Sequence, residues 1–133
     1  MRVLIAEDDF ASRSILSRLM RNLGDCDVAM DGQEAVDAVR LALDEGQPYA
    51  LICLDIMMPN MNGHEALRQI RGCEENQGIA LGRGAKILIT SALDDSKSIL
   101  EAFRSQCDGY LVKPYTKDKL YAEIKKAGLT ARV

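Results

Sequence analysis

The stretch ALICLDIMMPNMNG, residues 50–63, decides the fold of this chain. Its first five residues are apolar, which predicts a strand buried on both faces, as in a parallel sheet covered by helices. The strand ends at Asp55, and Pro59 and Gly63 then mark a turn. Ligand crevices in open parallel sheets lie beyond the carboxyl ends of the strands, so Asp55 is placed for chemistry. Taken alone, it is equally well explained as a solubilising strand-end residue.

The composition indicates one globular domain. The chain has 133 residues, 47% hydrophobic and 28% charged, and we expect a single domain over 1–133 with its core at about 3–128. A net charge of −3 gives no electrostatic case for direct nucleic-acid binding. The sequence has no apolar run long enough to span a membrane and does not open like a signal peptide. We therefore expect a cytoplasmic protein without membrane insertion. Neither the four cysteines nor the single His64 has zinc-site spacing, so reduced thiols are expected.

Apolar runs and helical patterns alternate five times along the chain. The predicted strands lie at residues 3–6, 28–30, 50–54, 86–90 and 109–115. Ser12 and Thr116 are expected to cap the first and last helices, and Gly72 to end or weaken the third. His64 is expected to be exposed and without a role. Residues 72–84 contain four glycines and predict a long connection whose function the sequence does not reveal.

Short right-handed crossovers between such units predict an α/β fold with a five-stranded, doubly wound parallel sheet. The flavodoxin-like strand order 2-1-3-4-5 suits five strand-helix repeats. In this order the first, third, fourth and fifth strands are neighbours, so their carboxyl ends share one rim.

Five polar residues are therefore expected to meet at that rim. Three carboxylates in a partly desolvated site repel one another unless a cation joins them, and an all-oxygen cluster suits a hard divalent ion such as Mg²⁺. Lys113 adds a mobile positive charge and Ser91 a hydroxyl donor. This combination suits an aspartate nucleophile that accepts a phosphoryl group. The expected residues are Asp8, Asp9, Asp55, Ser91 and Lys113.

From residue 3 to about 128 the sequence resembles a two-component response-regulator receiver domain, a family that includes the single-domain chemotaxis regulator. The resemblance rests on the acidic pair at 8–9, the run DIMMPNMNG at 55–63, Ser91-Ala92 and Lys113-Pro114. It implies that Asp55 is the phosphoacceptor, assisted by Ser91 and Lys113. The implied metal ligands are Asp8, Asp9, Asp55 and the backbone carbonyl of Met57, holding Mg²⁺ for which Mn²⁺ can substitute.

The resemblance also assigns switching and lifetime residues. Ser91 and Tyr110 are implied to form the conformational switch, and the Lys113-Pro114 bond is implied to be cis. Met57 and Leu93 flank the approach of a hydrolytic water; neither can orient that water, so a persistent phosphoryl group is expected.

The implied protein is a signalling domain that catalyses only its own phosphorylation and dephosphorylation. The implied donor is a histidine kinase or a histidine phosphotransfer protein, and the implied output is a downstream target bound through the face formed by helix 4, strand 5 and helix 5. Because only about five residues follow the last helix, we expect a stand-alone regulator without an output domain.

Three alternatives compete with this interpretation. A flavodoxin-like cofactor binder needs a phosphate-cradling loop after the first strand, where this chain has Glu7-Asp8-Asp9. A phosphatase with a D-x-D pair would need an acid at the position of Met57. A receiver that has lost phosphorylation would lack site residues that are all present here.

Overall fold

Five parallel strands form one sheet in a computed structural model that describes residues 1–129. The strands are β1 (Arg2–Ala6), β2 (Asp25–Ala29), β3 (Leu51–Asp55), β4 (Lys86–Ser91) and β5 (Gly109–Val112). Their order is β2-β1-β3-β4-β5, and every neighbouring pair is parallel. The predicted doubly wound fold and strand order are confirmed. The predicted single domain over 1–133 extends beyond the described residues by its last four positions.

Each strand is followed by one helix, and each helix begins at a polar capping side chain. The helices are α1 (Phe10–Met20), α2 (Gly32–Asp44), α3 (Gly63–Asn76), α4 (Ser96–Arg104) and α5 (Lys117–Lys126). The caps are Asp9, Asp31, Asn62, Asp95 and Thr116; each accepts a hydrogen bond from the backbone N–H three residues later. The capping role predicted for Thr116 is confirmed. The one predicted for Ser12 is wrong: the backbone N–H of Ser12 donates to Asp9, which is the true cap of α1.

The core consists of two apolar clusters on opposite faces of the sheet. Alternate residues of β1 show the division, since Leu4 packs on the side of α2, α3 and α4, whereas Val3 and Ile5 pack on the side of α1 and α5. Side chains along a strand point alternately to the two faces, so a strand covered by helices on both sides must be apolar throughout. This explains the continuous run in β3, which is buried at all five positions.

The third helix does not end at Gly72 as expected. It continues to Asn76, and a Cβ placed on Gly72 would have no atom within 4 Å, so the glycine lies on an open side of the helix. The long connection is thereby reduced to residues 77–85. Glu74, buried at the end of α3, holds this connection by accepting hydrogen bonds from the backbone N–H of Ala85 at 2.7 Å and from Arg71 at 2.7 Å.

Two sequence expectations about single residues also have clear outcomes. All four cysteines are free thiols, as expected. His64 is not exposed: it has 7% relative accessibility and contacts Ser98 of α4. It lies at the start of α3, where this helix packs against α4.

Within residues 1–129 no helix is both long and apolar enough to cross a bilayer.

Candidate functional site

Asp55 ends the central strand at the rim of the sheet. It is paired in register with Thr90 of β4 and is 6% exposed. The loop that follows turns back at once, because the N–H of Gly63 donates to the carbonyl of Ile56 at 2.8 Å. A Cβ on Gly63 would lie 2.3 Å from the carbonyl oxygen of Asp55, so only glycine permits this close return.

Lys113 joins Asp55 to a second buried acid, Glu7. The Nζ of Lys113 donates to Oδ2 of Asp55 at 3.2 Å and to Oε1 of Glu7 at 2.9 Å. Lys113 follows β5 and Glu7 follows β1, so three strand ends contribute to this triad. The other oxygen of Glu7, Oε2, is buried and has no hydrogen-bond partner within the described residues. Such an unpaired oxygen is costly, and a bound cation would satisfy it.

These contacts shift the pKa values of Glu7 and Lys113. Burial raises the pKa of Glu7 to about 7; the Asp55 carboxylate adds to the rise and Lys113 opposes it. Burial acts to lower the pKa of Lys113, but the carboxylates of Glu7 and Asp55 outweigh it and the pKa is raised. Lys113 therefore stays charged, while Glu7 is poised to exchange a proton near neutral pH.

The structure gathers a different set of acids from the one expected. Carboxylate oxygens of Glu7, Asp8 and Asp55 all lie within 4.8 Å of one another. Asp9 is not in this group: its carboxylate accepts from the N–H of Ser12 at 2.8 Å, and this hydrogen bond lowers its pKa. Asp9, which was expected among the metal ligands, therefore lies outside the acidic group, and Glu7 lies in it instead. The missed signal is positional, since an Asp immediately before a helical pattern is a typical N-cap.

The acidic group fits a divalent cation. Its donors are all carboxylate oxygens, which suit Mg²⁺, and one of them, Oε2 of Glu7, is buried without a hydrogen-bond partner among residues 1–129. Met57 lies beside the group, with its N–H donating to Oδ1 of Asp55 at 3.3 Å.

Ser91 and Tyr110 lie on the two neighbouring strands, β4 and β5. Ser91 is fully buried; its Oγ accepts from the N–H of Leu93 at 3.1 Å, and its carbonyl accepts from the N–H of Lys113 at 2.7 Å. Tyr110 is half-buried and its hydroxyl donates to the carbonyl of Leu93 at 2.7 Å. Leu93 thus connects the two residues of the implied switch.

Three further features of the site were expected: a cis Lys113-Pro114 bond and the side chains of Met57 and Leu93 beside the acids. The Lys113-Pro114 bond is cis, as the resemblance implied. Met57 is 62% exposed, so its side chain lies in the open beside the acids. Leu93 instead packs partly buried against the cluster beneath α2, α3 and α4.

The fold and the site together define a class: doubly wound α/β domains with an acidic, lysine-bearing site at the carboxyl ends of the strands. The model of the response regulator receiver domain matches residues 3–125. The chain belongs to this family.

Relatives and solved structures agree with this membership. The chain is 30% identical over 122 residues to the osmosensing histidine protein kinase SLN1 of Saccharomyces cerevisiae, covering 90% of this chain but 9% of that protein. It is 28% identical over 127 residues to the chemotaxis protein CheY of Listeria monocytogenes, covering 96% and 98% of the two chains. It spans only about half the length of several other bacterial regulators that it matches.

One solved structure is similar over nearly the full chain. It is the receiver domain of the histidine kinase CKI1 from Arabidopsis thaliana, complexed with Mg²⁺ and BeF₃⁻. It has 26% identity, a TM-score of 0.80, and coverage of 96% of this chain and 89% of that one.

Proposed function

We propose that Asp55 accepts a phosphoryl group with Mg²⁺ and that the modified domain changes its protein partners. The observation that carries this proposal is the placement of Asp55, buried at a strand end and bonded to Lys113 at 3.2 Å among three clustered acids. The solved receiver domain with Mg²⁺ and BeF₃⁻ supports it by likeness.

Each residue of the site has a role in this proposal. A carboxylate oxygen of Asp55 attacks the phosphorus in line while the donor's bond to phosphorus breaks, the P–N bond of a phosphohistidine or the P–O bond of acetyl phosphate. The imidazole or acetate leaves, and Lys113 neutralises charge on the transferred oxygens. Glu7, Asp8, Asp55 and the carbonyl of Met57 would hold Mg²⁺, or Mn²⁺ in its place. When bound, the ion supplies electrostatic stabilisation of the phosphoryl oxygens. Ser91 offers its hydroxyl to the phosphoryl group.

Mass spectrometry after incubation with acetyl phosphate and Mg²⁺ tests the proposal. We expect one phosphoryl adduct in the wild type and none in Asp55→Asn, because the amide keeps the shape but is a poor nucleophile at phosphorus. Asp9→Asn is the matched control and should be labelled, since asparagine still caps α1. Stoichiometric labelling of Asp55→Asn, or unchanged rates in excess EDTA, would refute the assignment.

We propose a histidine kinase or histidine phosphotransfer protein as donor, and a downstream protein as target. The target is proposed to bind the face of α4, β5 and α5. Three exposed apolar side chains on this face support a protein-binding role: Leu100 at 54%, Phe103 at 48% and Val112 at 37% relative accessibility. Phosphorylation-dependent capture of a target by the wild type should be lost in Phe103→Ser, while labelling of Asp55 continues.

The proposal covers residues 1–133 as a single receiver domain in the cytoplasm that does not bind nucleic acid. Two apolar clusters sharing one sheet support a single domain, and the four free thiols support a reducing compartment. The net charge of −3 supports the absence of nucleic-acid binding. The only reactions proposed for the domain itself are its own phosphorylation and dephosphorylation.

Ser91 and Tyr110 form the proposed switch. A phosphoryl group on Asp55 attracts the Ser91 hydroxyl, which is now committed to the N–H of Leu93 at 3.1 Å. Movement of that hydroxyl shifts the Leu93 segment, to which the Tyr110 hydroxyl is bonded. Structures with and without beryllofluoride at Asp55 should differ in this segment; identical segments would contradict the mechanism.

Met57 and Leu93 are proposed to prolong the phosphorylated state. Neither side chain can orient a water, and Met57 stands exposed beside Asp55. Replacing Met57 by Asn and Leu93 by Glu should speed dephosphorylation by about tenfold, because one positioned water is recovered. Decay rates at equal Mg²⁺ are the measurement. The single variants separate the two residues, since Leu93 also packs against the core.

A further inference from the structure

The loop that follows Asp55 carries the carbonyl of Met57, which is proposed as a ligand of Mg²⁺. This loop comprises residues 56–62, between β3 and α3. The N–H of Met57 donates to Oδ1 of Asp55 at 3.3 Å, while the side chain of Met57 is exposed. A backbone carbonyl cannot be moved by rotation of its own side chain. Its place beside the acids therefore depends on whatever fixes the loop.

Two hydrogen bonds fix the loop to the first residues of α2. Nδ2 of Asn60 donates to Oδ2 of Asp31 at 2.6 Å. The N–H of Gly32 donates to the carbonyl of Met61 at 3.1 Å. We call these two hydrogen bonds the α2 clamp. None of the four residues belongs to the acidic group or to the proposed switch, so the clamp reaches the site through the backbone of the loop.

The backbone at the α2 clamp accepts few residue types. Asn60 has a φ of 66°, in the left-handed region that asparagine and glycine tolerate better than other residues do. Gly32 leaves no space for a side chain, because a Cβ there would lie 2.2 Å from the carbonyl oxygen of Met61. The close approach of α2 to the loop therefore depends on both residues.

Asp31 serves α2 and the loop at the same time. Its Oδ1 accepts from the N–H of Glu34 at 2.8 Å, which caps the helix, and its Oδ2 accepts from Asn60. The N–H of Glu34 and then the amide of Asn60 lower the pKa of Asp31, so its carboxylate is charged at neutral pH. Hydrogen bonds to a charged acceptor are stronger than those between neutral groups. Loss of the bond from Asn60 should therefore loosen the loop.

We propose that Asp31 is a positioning residue for the metal site: through Asn60 it holds the loop of residues 56–62 so that the Met57 carbonyl lies beside the acids. The affinity of the acidic group for Mg²⁺ then depends on a carboxylate that lies outside this group. This inference rests on the proposed function for the role of Mg²⁺, but not for the effect of Asp31 on the loop.

Four variants of the full chain test the α2 clamp. Asp31→Ser keeps a capping hydroxyl for α2 that cannot also reach Asn60, and Asn60→Gly keeps the left-handed backbone without the amide. Each should weaken Mg²⁺ binding about tenfold in calorimetric titration, the lower end of the loss caused by removing an outer-shell partner. The double variant should bind no more weakly than either single variant, because all three lose the same bond. Asp95→Ser makes the same change at the cap of α4 and should bind Mg²⁺ as the wild type does.

Amide hydrogen exchange of the metal-free protein tests the loop without any ligand. The N–H groups of Met61 and Gly63 donate to carbonyls within the loop. In Asp31→Ser they should exchange about tenfold faster than in the wild type, the effect of losing one hydrogen bond to a charged group. In Asp95→Ser they should exchange at the wild-type rate, because that cap does not touch the loop.

Unchanged Mg²⁺ affinity in Asp31→Ser, whatever its exchange rates, would overturn the proposal. So would an equal loss in Asp95→Ser, a further loss in the double variant, or weaker binding without faster exchange.

Labelling with acetyl phosphate separates this inference from the proposed function. A wild type that binds Mg²⁺ but is not labelled would refute the phosphoacceptor role of Asp55 and leave the α2 clamp standing. Normal labelling with an Asp31→Ser variant that binds Mg²⁺ like the wild type would do the reverse. If the wild type bound no Mg²⁺, the proposed function would fail, and the exchange rates would still show whether Asp31 holds the loop.

Discussion

Glu7 is the residue on which the chemistry of the acidic group most depends. It is 1% exposed and bonded to Lys113 through one oxygen, while its other oxygen has no hydrogen-bond partner in the part of the chain that the structure describes. A carboxylate in this position is stabilised by cations and destabilised by burial, so its proton and a metal ion compete for the same oxygens.

The first prediction concerns stability against pH in metal-free protein. The pKa of Glu7 is raised from 4.5 to about 7, so between these values the folded state binds more protons than the unfolded state. The stabilisation is fully present below the unfolded value and is lost as pH rises through the folded value. Urea denaturation in EDTA should show the wild type losing on the order of 1–3 kcal/mol across this window relative to Glu7→Gln. Parallel pH profiles for the two proteins would contradict this.

The second prediction separates two neighbouring acids. Asp8→Asn removes a member of the acidic group and should weaken Mg²⁺ binding at least about tenfold, a loss that even an outer-shell partner can cause. Asp9→Asn keeps an N-cap and should bind Mg²⁺ nearly as the wild type does. Calorimetric titration of both variants is the test, and equal losses would return Asp9 to the metal site.

The two glycines of α3 differ in the space around their backbone. Gly63 begins the helix against the backbone of Asp55, whereas Gly72 lies in its interior with open space beside it. From the sequence alone, both glycines are expected to mark a turn or a helix end. The packing shows that a side chain would clash at Gly63 but not at Gly72.

The third prediction is therefore opposite in sign at the two positions. Gly72→Ala should stabilise the protein by up to about 1 kcal/mol, because alanine is the better helix former and meets no atom. Gly63→Ala should destabilise it by about 1–3 kcal/mol, because the new methyl group overlaps the Asp55 carbonyl. Thermal unfolding of the two variants beside the wild type measures both. A destabilised Gly72→Ala would mean that this position needs glycine.

Element types and strand order could be predicted because they depend on local periodicity. Continuous apolar runs identified the buried strands. Short right-handed crossovers between them favoured the strand order 2-1-3-4-5. Exact boundaries could not be predicted in the same way. Whether Asp9 or Ser12 caps α1, and whether Gly72 ends α3, depends on competition between neighbouring side chains and on space around the backbone, which no residue pattern records.

We expect the two apolar clusters to unfold as one cooperative unit, because β1, β3 and β4 contribute side chains to both. The fourth prediction follows. Leu88→Ala and Ile89→Ala empty opposite faces of β4, yet each should lower the free energy of the same unfolding transition by about 2–5 kcal/mol. Denaturation followed by circular dichroism and by tyrosine fluorescence should give coincident curves in both variants. Separate transitions would show two independent folding units.

The candidate site was predictable only as far as topology determines it. Asp55, Ser91 and Lys113 could be placed at the carboxyl rim of the sheet because each ends or follows a strand in a predicted order. Glu7 was missed because its partner is Lys113, which lies 106 residues later in the chain. The burial of His64 was missed because it comes from packing against Ser98 on another helix. Contacts of this kind are properties of the assembled molecule.

The long separation between Glu7 and Lys113 also has a consequence for protein synthesis. A ribosome delivers Glu7, Asp8 and Asp55 long before the lysine that bridges the first and third strands. A nascent chain that ends before β5 has the acids but not the lysine, so it lacks part of the arrangement. We therefore expect unfinished copies of the protein to accept no phosphoryl group on Asp55 until β5 and Lys113 have been translated.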